Sequence, residues 1–375
     1  KKPEGLKVAE SASRQGIELP RAVISDKTAV QQSGKIISNV PVAGTPLRKA
    51  SEKAIGQLDD AARAAEQGYG TGSVPSAGSM VRGDVTDYAK NTLSGFVKKK
   101  YDDVDAFVQP NVVAQLEKTK TVADDIMAKR LNAQLPGKSK AVEMVRQAAE
   151  SPQGMNYDGI KTLRTTVGEI MDNPQVLANS GMSQGELKRI YGALTDDLRN
   201  VVKTSGGKKA LSAWESANAF AAKTAAEKKA LQKIIGLNKS DEAIFDSLQK
   251  MAGSTSRADV TGLAKARRAV SKDTWDEVSS AVISRMGRDA DGKFSPDRFL
   301  TAYGKLTNSG KGILFKTTGK KGLAKSLDDI AEVSRRFKQL NQYANPSGTG
   351  QTVMGGSIGA GMATEPVTTL TGVAG

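Results

Sequence analysis

Apolar positions recur at three- and four-residue steps over most of this chain, and almost nowhere at steps of two. The clearest stretch runs from Ser183 to Val202. Leu187, Ile190, Tyr191, Leu194, Leu198, Val201 and Val202 line one face of a helix, while Lys188, Arg189, Asp196, Asp197 and Arg199 fall mostly on the other. Ser183 and Glu186 have the spacing of a capping box, in which each side chain satisfies a free amide of the first turn.

The same grammar extends in both directions. Thr45 suits an N-cap and Pro46 the first position of a helix that runs to about Gln67, with Leu47, Ala50, Ala54, Leu58, Ala61, Ala62 and Ala65 on one face. Two long helices are expected over Asp84–Val108 and Val112–Leu135. The Pro136-Gly137 turn separates them from a short helix over Ala141–Ala149. Tyr157–Met171 is amphipathic, and Pro174 to Gly181 reads as a loop. Leu211–Ile235 is Ala-rich, with Trp214 and Phe220 as its large anchors. Shorter helices are expected over Asp241–Met251, Asp259–Val270 and Asp273–Met286. Ser295-Pro296 opens a further one by the cap-plus-proline rule, and Gly322–Tyr343 closes the series.

Strand signals are nearly absent and no fixed repeat period stands out. The pattern therefore predicts an all-α fold, an elongated multi-helix bundle with a flexible N-terminal arm and a Gly-rich C-terminal tail. The expected divisions are a basic extended arm over 1–44 and an N-terminal helix with a Gly-rich linker over 45–83. A long-helix bundle over 84–235, a shorter-helix subdomain over 236–343 and a Gly/Thr-rich tail over 344–375 follow. The chain opens on Lys1 and ends inside the Gly-rich run, and reads as a piece of a longer or processed protein.

Charge changes this picture. Lys and Arg total 55 against 40 Asp and Glu, a formal +15. Residues 1–50 hold nine basic and four acidic groups, and residues 301–350 nine and three. Such a balance suits contact with polyanions, and equally plain solubility. The candidate polyanion contacts are Lys98, Lys99, Lys100, Lys208, Lys209, Lys320, Lys321, Arg335 and Arg336, all in adjacent runs; Lys228-Lys229 and Arg267-Arg268 form similar pairs. Aromatic residues make up only 5%, too few for a stacking platform that reads single strands.

Candidate chemistry is thin. The chain has no Cys and no His, which removes thiolate nucleophiles, imidazole bases and Cys/His zinc sites. The glycines of Gly68 to Gly83 follow no buried strand and lead to no Gly-Lys-Ser/Thr, so they read as a linker and not a phosphate loop. Asp289-Ala-Asp291-Gly292 resembles the opening of a calcium loop, yet its twelfth position is Leu300 where a carboxylate is needed. Carboxylate pairs such as Asp196-Asp197 diverge by about 100° on a helix and do not converge on one site. No enzyme activity, metal or cofactor is expected. No apolar run reaches the ~18 residues of a membrane span. The weakly hydrophobic stretch from Val353 to Gly375 could meet a membrane or a partner, or form a loose tail.

Several segments resemble a group of tailed-bacteriophage virion proteins known as internal, injection or DNA-ejection proteins. They are YDGIKTLRTTVGEIMDNP from Tyr157, QGELKRIYGALTDDLR from Gln184 and the Ala-Trp-Glu-Ser-Ala-Asn run from Ala213. FSPDRFLTAYGKLTNSGKGILF from Phe294 and VSRRFKQLNQYANPSGTGQ from Val333 continue the likeness. LPRAVISD near the start and NVPVAGTPL from Asn39 also fit, so the resemblance covers half to two-thirds of the chain. It implies a large helical protein held in the virion near the portal or tail, leaving with the genome and helping DNA cross the host envelope. It further implies a homo-oligomer with portal or tail partners. Some relatives carry a murein-cleaving domain, and Glu215-Ser216 is similar to the Glu-Ser pair of lytic transglycosylases. The accompanying Gly-Leu-Met-Gln-type motif is missing, so Glu215 reads as a helix-surface residue.

Overall fold

A computed structural model describes residues 3–26, 45–133, 140–236, 238–288, 292, 294–316 and 319–344. Among them the chain is helical almost throughout. Paired β structure is confined to an antiparallel couple, β1 (Val113–Ala114) against β2 (Met155–Asn156), and one isolated bridge between Arg288 and Phe294. The all-α expectation holds. The C-terminal tail and the Asp289–Asp291 motif lie outside the described residues.

The chain forms two compact units, one of residues 1–86 and 231–375, the other of residues 87–230. In the first, α1 (Glu4–Arg14) and α2 (Arg21–Ile24) are followed by α3 (Thr45–Tyr69) and α4 (Val74–Asp87). A π-helical turn over Tyr88–Leu93 then leads into α5 (Ser94–Asp105) of the second unit. That unit continues with α6 (Glu117–Asn132), α7 (Lys140–Ala149), α8 (Tyr157–Asp172), α9 (Pro174–Ser180) and α10 (Gln184–Ile235), whose last turn belongs to the first unit. The first unit resumes with α11 (Asp241–Gly253), α12 (Arg257–Ala269), α13 (Lys272–Ser284), α14 (Pro296–Lys305), α15 (Asn308–Phe315) and α16 (Lys321–Ala344).

The first unit is built around α13, which packs on α3 and α15. Every residue from Thr274 to Ile283 is buried. A helix buried all round must satisfy its polar groups internally, and this one does so largely through its neighbours. Ser279 Oγ donates to the carbonyls of Trp275 and Leu314 at 2.9 and 2.7 Å, and Ser280 Oγ donates to Glu66 O at 2.9 Å. The Trp275 indole N–H donates to Ile313 O at 2.9 Å. Glu277 accepts from the amides of Thr71 and Ser73 at 2.8 and 3.0 Å and from Thr71 Oγ1 at 2.5 Å.

That last set overturns the expected Gly-rich linker. Residues 70–73 are clamped by Glu277, and α4 begins at Val74, burying Ala77, Gly78, Val81 and Val85. The glycines serve close approach: a Cβ on Gly70 would lie 2.3 Å from Glu277 Oε2, and one on Gly78 2.0 Å from Asp241 O. The arm expected over 1–44 is also shorter than its sequence suggested. Helix α1 packs on α16, buries Val8 and Ala12, and closes with a two-point bond from Arg14 to Asp329, Nε at 2.9 Å and Nη2 at 2.6 Å. Residues 27–44 lie outside the described set.

The second unit encloses one core of Val104, Leu116, Ile126, Ile160, Val167, Leu187, Ile190, Leu194, Leu198 and Trp214, among others. Helix α10 starts where the sequence placed its signal, whereas the helix expected from Val112 begins at Glu117, after β1. The Ser183 amide donates to Glu186 Oε2 at 2.8 Å and the Glu186 amide to Ser183 Oγ at 3.2 Å, a complete capping box. By contrast, α6 is capped from a distance: buried Asp197 accepts from the amides of Lys118 and Thr119 at 3.1 and 2.9 Å and from Thr119 Oγ1 at 2.7 Å. The segment after Pro174, read as a loop, is the short helix α9 with Asn173 as its cap.

Candidate polyanion-contact surface

The lysines of the second unit are placed by a bend. α10 is two helices joined across a kink at Gly207, whose φ of 73° and ψ of −164° form a backbone that residues with a Cβ scarcely adopt. Two arms result, and they fold toward each other: Arg199 on the first bonds Glu215 on the second at 2.6 Å. Arg164, from α8, ties both, with Nε donating to Thr195 Oγ1 at 2.8 Å and Nη2 to Asn218 Oδ1 at 2.9 Å. Its guanidinium lies 4.5 Å from the Tyr191 ring centre, 5.4 Å from that of Trp214 and 5.6 Å from that of Tyr101.

Helix α5 runs antiparallel to the second arm. Gly206 meets the Phe107 carbonyl, Tyr101 Oη donates to Asn218 Oδ1 at 2.8 Å, and Lys228 Nζ donates to Ser94 Oγ at 2.7 Å. Val104 and Tyr101 therefore point inward, and Lys98, Lys99 and Lys100 are left exposed. Lys98 pairs with Asp102 one turn on, at 2.7 Å. Lys208 and Lys209 follow the bend directly and are exposed. Lys229, of the Lys228-Lys229 pair, is exposed on the second arm, and so are Lys203 on the first arm and Lys223 on the second, two isolated lysines that the sequence did not single out. Isolated lysines on a helix give no cluster signal; their common exposure depends on the bend.

The first unit treats its basic runs differently. Lys321 and Arg335 are exposed, Arg335 pairing with Glu332. Their sequence neighbours are structural. Lys320 Nζ sits 2.7 Å from the carboxylate of buried Asp276 and donates to Gly68 O at 2.8 Å. Arg336 is only 5% exposed; its Nε donates to Val23 O at 2.8 Å and its Nη2 to Ser25 O at 2.6 Å. Lys320 and Arg336 thus hold the fold together, and the expectation that they face a polyanion is corrected. Adjacent residues on a helix point about 100° apart, so one of a basic pair can turn inward.

A cleft of about 940 Å³ opens in the first unit beside the ends of α11 and α14. Lys250, Arg285, Arg288, Arg298 and Lys305 line it, together with Asp246, Asp259 and Asp297. Its charges are largely matched: Arg285 pairs with Asp246 at 2.5 Å, and Arg288 with Glu66 at 2.8 Å and Asp59 at 3.3 Å. With acidic and basic side chains interleaved, it presents no field of one sign. Among the described residues no group of three or more acidic side chains could hold a metal ion, and no helix is long and apolar enough to cross a membrane.

The surface that remains for polyanion contact is therefore Lys98, Lys99, Lys100, Lys208 and Lys209 in the second unit, widened by Lys203, Lys223 and Lys229, with Lys321 and Arg335 in the first. Flexible exposed cations of this kind make phosphate contacts without reading bases. No protein-family model, no curated protein and no solved structure matches the chain.

Proposed function

We propose that this chain is a structural bacteriophage virion protein, stored in the particle near the portal or tail and ejected with the genome to help DNA cross the host cell envelope. It works without catalysis or a cofactor, as a homo-oligomer in contact with portal or tail proteins. The observation that carries the reading is where the resembling segments fall. Tyr157 to Pro174 and Gln184 to Arg199 supply α8 and the first arm of α10, which share one core through Ile160, Leu163 and Val167 with Leu187, Ile190 and Leu194. These two segments of the likeness thus lie in one packed helical core, and not on scattered surface charge. Exposed lysines give that unit a non-specific hold on passing DNA. Mass spectrometry of virions before and after DNA release tests the proposal. Loss of the protein from emptied particles is expected, and its retention overturns ejection.

The exposed lysines of α5 and α10 favour one second reading, a non-specific DNA-binding protein that never enters a virion. It predicts steeply salt-dependent DNA binding together with absence from purified particles.

A further inference from the structure

Large apolar side chains that remain in water ask for an explanation when they share one face. In the second unit Phe96 is 53% exposed and Phe107 46% exposed. They stand eleven positions apart, Phe96 in the first turn of α5 and Phe107 in the turn that follows its last residue, Asp105. Phe96, Lys100 and Asp103 follow the spacing i, i+4, i+7 on the outer side of the helix, and the turn through Ala106, whose φ of −63° and ψ of −19° stay right-handed, carries the chain on to Phe107. The inner side is Val97, Tyr101, Val104 and Val108, and the last two are fully buried. Lysines sit between the two rings and at both ends. Lys99 and Lys100 lie between the rings. Lys208 and Lys209 follow Gly206, which meets the Phe107 carbonyl, and Lys229 follows Lys228, which bonds Ser94 beside Phe96.

We propose that the outer face of α5 together with the turn that follows it, with Phe96 and Phe107 as apolar wedges and Lys99, Lys100, Lys208, Lys209 and Lys229 around them, is a docking surface for an anionic lipid bilayer. The rings enter the boundary between headgroups and acyl chains, and the long lysine stems let their ammonium groups stay at the phosphates. Charge argues against a second copy of the chain as occupant, since a two-fold pairing of this face would set lysines against lysines. Geometry argues against single-stranded nucleic acid, whose platforms are aromatic-lined grooves. The cleft beside α11 and α14 contains neither ring. The inference takes its setting, an envelope, from the reading above and its chemistry from these residues.

The test is co-sedimentation of the full chain with vesicles of phosphatidylcholine, with and without about one-third phosphatidylglycerol. Binding to the anionic vesicles is expected, with at least a tenfold loss in the Phe96→Ser/Phe107→Ser variant and a comparable loss in high salt. Val176→Ser, which alters an exposed apolar residue elsewhere in the unit, should bind as the parent does. Circular dichroism and urea unfolding of each variant establish that the fold is intact. Three results would overturn the proposal: no binding to anionic vesicles, equal binding to neutral ones, or undiminished binding by the double variant. A change of oligomer mass or of single-strand affinity in the double variant, with vesicle binding intact, overturns it in favour of those occupants. Virion mass spectrometry is independent, so ejection and lipid docking can fail separately.

Discussion

Arg199 and Glu215 are sixteen positions apart on continuous helical sequence, yet Nη2 of one lies 2.6 Å from Oε1 of the other. On a straight helix that separation would be about 24 Å along the axis. The pair marks how sharply α10 turns on itself. As an exposed ion pair it contributes little stability. What holds the turn is the backbone at Gly207 and the reach of Arg164 to both arms.

The first prediction concerns that backbone. At φ 73° and ψ −164° a Cβ is strained even though Gly207 has open space around it. Gly207→Ala should cost about 1–3 kcal/mol in urea unfolding. Gly192→Ala is the control, because Gly192 is helical, exposed and free of neighbours within 4 Å. There the same change should be neutral or stabilise by up to about 1 kcal/mol. Equal effects at the two positions would mean that Gly207 is not the constraint.

A second prediction separates shape from charge at Arg164. Its planar guanidinium bonds Thr195 and Asn218 and lies over three aromatic rings. Lysine keeps the charge but cannot span both arms or stack in the same way. Arg164→Lys should therefore destabilise by about 2–3 kcal/mol and shift the emission of Trp214, which the arginine overlies. A lysine variant as stable as the parent would reduce the site to a simple positive charge.

Acid stability gives a third. Glu186 is held at about 2, well below its ordinary 4.5, first by hydrogen bonds from Arg130 and then by the amide and hydroxyl of Ser183, against the opposing effect of burial. A depressed folded value means the contribution is complete above pH 4.5 and is lost as pH falls toward 2. Allowing for partial exposure, the amount is about 2 kcal/mol. Between pH 6 and pH 2, Glu186→Gln should lose about 2 kcal/mol less stability than the parent, measured by urea midpoints at each pH. Parallel losses in the two proteins would contradict the assignment.

Much of this architecture was legible because its signals are local. A capping box needs only Ser183 and Glu186 at the right spacing. The Ser295-Pro296 start of α14 is likewise visible in adjacent residues, and Ser295 Oγ does accept from the Arg298 amide at 3.4 Å. Misread elements were those set by distant partners. Gly70 and Gly78 looked like the flexibility of a linker, whereas their lack of a side chain admits Glu277 and the Asp241 carbonyl. Helix α1 presents a narrow apolar face that becomes meaningful only against α16 and Asp329. The candidate surface divided the same way: a run of cations is visible in sequence, but which of them faces water depends on the packing of each helix. Arg336 was counted with the surface although it binds the carbonyls of Val23 and Ser25 from more than three hundred residues away.

That division supplies the last prediction. If Lys208 and Lys209 meet DNA phosphates, replacing both with Gln should weaken duplex binding and flatten the plot of log affinity against log salt by about two units, since each released contact accounts for about 0.9. The effect should be uniform across DNA sequences, because phosphate contacts carry no base information. Arg336→Gln should behave in the opposite way. Removing a buried guanidinium leaves the carbonyls of Val23 and Ser25 without their donors, a loss of roughly 2–4 kcal/mol in unfolding experiments. At a temperature where that variant is still folded, its salt slope should match the parent's. A flattened slope in folded Arg336→Gln, or an unchanged slope in the Lys208/Lys209 variant, would place the DNA contacts elsewhere than on the second arm of α10.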